Sequence, residues 1–409
     1  MTIGNKWLRI VAAIIIVLAI VGTILYPRYE RVRISSSFFS GVEQYENLGR
    51  LYEVFPHKRM EASAHPQSFS YGAAVELPQG FVYESTFWGV EAFLNRTDTV
   101  ALLVLKNGEI IHEQYRLTGG ADVAWMSMSV SKSYLAALIG IAVDEGDIKS
   151  ITQPITDYVP SLAGSGFAGV RIKDVLQMSS GAQWNENFSD PNSDINRFGR
   201  IFALGGSLDE FVATVKGGAH PPGTYSKYNS MNTQALAMML SRATGMSVTD
   251  YMREKLWHPL GAEDTGYWLV DSDNVEMAFG AFNATARDYA KIGQLYLQRG
   301  KWHGKQIVPA AWIDASVTPD APHLLAGKDN PLSNFELGYG YQWWVPEGDR
   351  GEFLAIGAYN QYIYVAPRDN IVIVKLSANS TFGTTSDESG KLDMETIELF
   401  RAIVSDNAD

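Results

Sequence analysis

One S-x-x-K tetrad occurs in the chain, Ser129-Val130-Ser131-Lys132. A serine hydroxyl becomes a nucleophile only when a base takes its proton, and a lysine in a dry site can be neutral enough to do so. The tetrad opens an apolar helix predicted over Ser127 to Val143 and stopped by Asp144-Glu145-Gly146. Residues three apart on a helix share a face, so Ser129 and Lys132 lie within side-chain reach. The helix N-terminus adds N–H donors and partial positive charge, which favour an oxyanion and depress a nearby lysine pKa. Taken alone the tetrad is weak, since about one is expected by chance in a chain this long. A Ser-rich helix start with a surface lysine reads the same residues equally well.

Other chemistries find less support. There is no cysteine, which removes thiol nucleophiles, disulfides and thiolate metal sites. No G-x-S-x-G elbow is present. His57, His65, His112, His220, His258, His303 and His323 are dispersed, without H-x-x-x-H or H-E-x-x-H spacing. A Ser–His–Asp arrangement stays open, with nothing pointing to it. Gly205-Gly206 and Gly217-Gly218 lack the flanks of a phosphate loop. The balance of 45 Asp+Glu against 33 Lys+Arg, net charge -12, argues against nucleic acid as a partner.

The elements that must hold these residues come from both ends of the chain. TVALLVLK, Asn107-Gly108 and EIIHEQY read as a β-hairpin with a type I′ turn. GEFLAIGA, QYIYVA and IVIVKLS are strands near the C-terminus, the last two joined at Pro367 to Asn370, and LDMETIELFRAIV is a closing helix. Ser85 to Asn95 reads as a capped helix, and helical patterns fill about 150 to 335. The pattern predicts an α+β fold, an antiparallel sheet flanked by terminal helices, with a helical lobe and a cleft between.

The run Trp125-Met126-Ser127-Met128-Ser129-Val130-Ser131-Lys132-Ser133-Tyr134 resembles the nucleophile motif of the serine β-lactamase/penicillin-binding-protein superfamily. The similarity is nearest to its class C-like branch, with its DD-peptidases, family VIII esterases and 6-aminohexanoate-dimer hydrolases. It extends over about residues 80 to 405, through IKDVLQMSSGAQWNE (172–186), HPPGTYSKYNSMNTQALAMMLSRATG (220–245), FNATARDYAKIGQLYLQRGKWHGKQIVPAAW (282–312) and GYGYQWWV (338–345). The resemblance implies a β-lactamase/transpeptidase-like fold and the roles that follow. Tyr228 of Tyr228-Asn229-Ser230 relays protons. Ser230 stands where the family has Asn, with Asn229 or Asn232 as a shifted register. The family's Lys-Thr-Gly or His-x-Gly falls on Ala355-Ile356-Gly357, and the N–H groups of Ser129 and Ala358 would form the oxyanion hole. Losing the cationic first residue to Ala355 turns the expectation from β-lactams toward esters and other amides.

Trp184, Glu186, Ser230, Tyr341, Ile356, Gly357 and Tyr359 are the expected substrate contacts, with Glu186 and Asp190 placed to meet a cationic or amine group. No metal or organic cofactor is implied. Ile10 to Tyr26 is an uncharged apolar run behind Lys6 and Arg9, read as an uncleaved signal anchor. Flanking charge does not orient it, because Arg28, Arg31 and Arg33 balance the basic residues before it. Many relatives are exported, which implies an extracytoplasmic body. The expected organisation is an anchor (1–27), a connecting segment (28–80) and a hydrolase body (81–409), its sheet lobe 81–125 plus 338–409 and its helical lobe 126–337. The function read from this is a membrane-anchored serine hydrolase of a small ester or amide. A true β-lactamase or DD-peptidase, or a non-hydrolytic binding module on the same fold, are the alternatives.

Overall fold

Thr99–Lys106 has an apolar side chain at every position from Val100 to Leu105, the pattern of a strand covered on both faces. In the computed structural model, which describes residues 3–36, 43–383 and 388–408, it lies inside an eight-stranded sheet. The order is Gly338–Tyr339, Trp344–Val345, Phe353–Gly357, Gln361–Ala366, Ile371–Ser377, Thr99–Lys106, Glu109–Tyr115, Ser70–Tyr71. All pairings are antiparallel except the last, and Ile371 faces Lys106, so strands from the two chain ends meet in the middle. This is the β-lactamase/transpeptidase-like α+β architecture expected from the sequence. Asn107 (φ 54°) and Gly108 (φ 81°) form the expected turn with both residues left-handed.

The strand alternation sorts side chains onto two cores. Leu102 and Val104 join Val90, Phe93 and Leu94 of the helix Val90–Arg96 and Phe400, Ile403 and Val404 of the terminal helix Glu388–Asp406. Ala101, Leu103 and Leu105 face the opposite core, with Ile292, Leu295 and Tyr296 of Ala286–Leu297. Gly293 lets that helix sit on the sheet, since a Cβ there would lie 2.6 Å from Val372 Cγ1 and 2.9 Å from Ile363 Cγ2. The helix belongs to the stretch the sequence division left in the helical lobe, yet it packs on the sheet.

The helix expected over Ser85 to Asn95 begins only at Val90. Glu84 (φ 46°) and Ser85 (φ 64°) instead turn a small hairpin that pairs Gly80–Tyr83 with Thr86–Gly89. Threonine and the two aromatics of Thr-Phe-Trp suit a strand better than the first turn of a helix.

Residues before the hairpin pack on the body. His57–Met60 opens a second, four-stranded sheet with Gly266–Leu269, Phe282–Ala284 and Trp125–Met126. That sheet carries the chain into the nucleophile segment. The N-terminal helix runs unbroken from Ile3 to Ser36 through Pro27. Its apolar stretch is exposed, and it is long and apolar enough to cross a membrane. Beyond the stretch, Ile34 is fully buried against the body and Glu30 pairs with Arg50.

Candidate active site

From Ala124 to Ala142 Ser129 alone is not buried. Met128 to Val130 forms one tight 3₁₀ turn ahead of the helix Ser131–Asp144, with Met128 held at φ 48°. The neighbouring hydroxyls are tied down. Ser131 Oγ donates to Ala278 O at 2.9 Å and Ser133 Oγ to Gln342 O at 2.7 Å. Ser129 is left facing the cleft at a helix N-terminus.

Lys132 Nζ, 1 % exposed, lies 2.9 Å from Ser129 Oγ, 3.2 Å from Ser230 Oγ and 2.7 Å from Phe279 O. Burial pulls its pKa down to about 7, against the opposing pull of the Glu186 carboxylate. A neutral amine has two N–H groups and one lone pair. Phe279 O and Ser230 Oγ accept the two N–H groups, which leaves the lone pair for the Ser129 hydroxyl.

Ser230 can accept because its own proton is committed. Its Oγ donates to Glu186 Oε1 at 2.6 Å and its N–H to Glu186 Oε2 at 3.0 Å, while Trp184 Nε1 donates to the same carboxylate. The Ser230–Glu186 pair thus presents an acceptor to lysine, as an asparagine carbonyl would. The shifted registers do not reach the site. Asn229 caps the helix Ser230–Thr244 through Met231 N, and Asn232 accepts from Ser180 Oγ.

The Tyr228 ring stands 5.0 Å from Lys132 Nζ, itself 2.9 Å from Ser129 Oγ, and stacks on Trp344 at 5.5 Å. Desolvation, then the Glu186 charge, holds its phenol well above the ordinary value, so it keeps its proton until one is needed. Across the cleft, Phe353–Gly357 presses on the nucleophile turn. A Cβ on Gly357 would lie 2.5 Å from Ser127 O and 3.1 Å from Ser129 N, so only glycine lets the strand come this close. Ala358 follows it and lines the cleft beside Ser129.

The cleft is walled mainly by Met128, Phe188, Ile195, Phe198, Phe202 and Phe279. Of the substrate contacts expected from sequence, Glu186 and Ser230 line it. Both Glu186 oxygens are engaged within the protein, so its place is to hold Ser230 rather than to meet a cationic group. Asp190 instead braces its own loop through Asn185 and Asn192. Trp184 is buried edge-on against Phe211. Tyr341 packs on Trp312 and Tyr359 on Phe382 in the interior. Ile356 points to the opposite sheet face, as alternation requires next to Gly357. Phe279 O and the phenylalanine walls carry no motif and were not foreseen.

The β-lactamase family model matches residues 90–393. The chain is a member of the β-lactamase family. Among β-lactamase relatives, the 6-aminohexanoate-dimer hydrolase of Paenarthrobacter ureafaciens is 33% identical over 297 residues, covering 71% of this chain and 75% of that protein. The fold superimposes on a candidate 6-aminohexanoate-dimer hydrolase from Bacillus anthracis with a TM-score of 0.78 at 22% identity, covering 89% and 95% of the two chains. A family VIII carboxylesterase gives 0.56 at 15% identity, covering 77% and 95%. This β-lactamase-family chain is a serine hydrolase related to amide hydrolases and esterases.

Proposed function

We propose that the chain cleaves an ester or amide through an acyl-enzyme on Ser129. The observation that carries this reading is Lys132 Nζ, 2.9 Å from Ser129 Oγ and drawn by burial to a pKa of about 7. Lys132 takes the hydroxyl proton as Ser129 Oγ bonds to the carbonyl carbon. The N–H groups of Ser129 and Ala358 hold the oxyanion. The bond to the leaving group then breaks, and Tyr228 passes it a proton that Lys132 replaces. Water, deprotonated by the Tyr228/Lys132 pair, attacks the acyl carbon and returns the proton to Ser129.

Ala355, at the position where most of the superfamily carries a cation, is 1 % exposed and offers no charge to a β-lactam carboxylate. Esters and uncharged amides are therefore the favoured substrates. The N-terminal helix anchors the body to a membrane, on its extracytoplasmic side. A fluorophosphonate probe is expected to label the full chain and not Ser129→Ala. Labelling that persists in Ser129→Ala would remove the nucleophile, and no labelling of either protein would favour a binding module.

A further inference from the structure

The apolar cavity continues well past the nucleophile, and its far wall is unusual. Leu51 and Phe55 from the segment ahead of the body line it, as does Ser35 in the last turn of the N-terminal helix. That turn is seated by Ile34, which is fully buried. The helix Asp194–Ala203 packs beside the N-terminal helix and contributes Ile195, Phe198 and Phe202 to the same cavity.

Among the described residues lining the cavity, Glu186 is the only ionisable one, and both its oxygens already accept hydrogen bonds from Ser230 and Trp184. The Asn196 amide nitrogen is likewise committed, to Phe188 O, Asp190 O and Ser193 Oγ. A charged or strongly polar group would lose its water there and gain nothing. A hydrocarbon chain suits this lining.

Direction follows from the reacting groups. Tyr228, which protonates the leaving group in the mechanism above, and Trp344, stacked on it, do not line the cavity, whereas Met128 and Ala358 beside the nucleophile do. The cavity therefore takes the acyl half. Position follows from helix geometry. The apolar run ends at Tyr26, and the helix climbs about 14 Å from there to Ser35. This puts the cavity within about two headgroup layers of the hydrocarbon.

We propose that the substrate is a membrane-borne amphiphile, an ester or amide of a fatty acid, whose acyl chain enters beside the end of the anchor helix. This rests on the serine-hydrolase and anchor readings above. The products are the free fatty acid and the headgroup alcohol or amine.

Gly199 provides the test. It lines the cavity from the helix Asp194–Ala203, and a Cβ there meets nothing within 4 Å, so a side chain can start from this position and Gly199→Leu is expected to take up cavity space. The full-length chain in phosphatidylcholine vesicles is assayed on p-nitrophenyl acetate, butyrate, hexanoate and octanoate. We expect kcat/KM to rise about fourfold per added methylene, the factor for burying one CH₂. In Gly199→Leu the octanoate-to-acetate ratio should fall at least about tenfold. A flat or falling series, or an unchanged ratio in the variant, overturns the acyl-chain proposal while leaving the hydrolase reading standing. No Ser129-dependent turnover of any ester overturns the hydrolase reading, and this inference with it. A p-nitrophenyl palmitate dissolved in the enzyme's own vesicles should turn over faster than the same ester in separate vesicles. Equal rates overturn the membrane source.

Discussion

Replacing Glu186 by Gln removes one charge and keeps the shape of the acceptor. The carboxylate touches Ser230 Oγ at 2.6 Å and Lys132 Nζ lies 3.2 Å from the same oxygen, so anion and cation stand no more than about 6 Å apart. At that distance a unit charge stabilises the ammonium by about 3 kcal/mol at an effective dielectric of ~20, and by under ~1 kcal/mol in water-like surroundings. The corresponding move in lysine titration is about half to two pH units. The sign is definite. Glu186 favours the charged lysine and burial disfavours it, so without Glu186 burial acts unopposed and the amine loses its proton at lower pH. In the wild type, kcat/KM for an activated ester should rise with pH through about 7 as Lys132 becomes a base. In Glu186→Gln the same limb should lie about half to two pH units lower. The plateau is a separate readout, reporting how well glutamine holds Ser230. An acid limb that stays in place, or moves up, refutes the assignment of Lys132 as the base under Glu186 control.

Tyr228→Phe removes the relay and leaves the stack on Trp344, so kcat should fall by about 10² to 10⁴ with KM little moved, measured by steady-state ester hydrolysis. Gly357→Ala places a methyl 2.5 Å from Ser127 O, and the oxyanion donors should separate. A loss of roughly 10² to 10³ in kcat is expected, together with about 1–3 kcal/mol of stability, since the atom struck is backbone. Gly293→Ala drives a methyl into Val372 and Ile363, whose branched side chains have little room to turn. It should cost about 1–3 kcal/mol by denaturant unfolding, without changing the pH profile of activity.

Local chemistry was readable from the chain, and tertiary pairing was not. The Asn107-Gly108 turn and the strands on either side announce themselves because a left-handed dipeptide between apolar runs has few other uses. Ser129, Lys132 and Tyr228 were named from motif positions, and the structure brings the three together. Glu186 was placed near the site but given a cationic partner, because nothing local reveals that Ser230 consumes both of its oxygens. Tyr341 and Tyr359 lie close to motif residues in sequence, and burying large aromatic area turned them inward. The cavity walls were invisible for a related reason. Phe198, Phe202 and Phe279 are ordinary core residues until the fold leaves an opening between them.

The meeting of Ile371–Ser377 with Thr99–Lys106 sets an order of events for a chain made from its N-terminus. The early hairpin has no central neighbour until residue 377 exists, and Ala358 comes late as well. A nascent chain long enough to display Ser129 and Lys132 thus lacks the Phe353–Gly357 strand that presses on the nucleophile turn and the middle of its main sheet. Contacts this distant in sequence form slowly. The sheet and the cleft wall it carries are therefore completed only when synthesis is nearly finished.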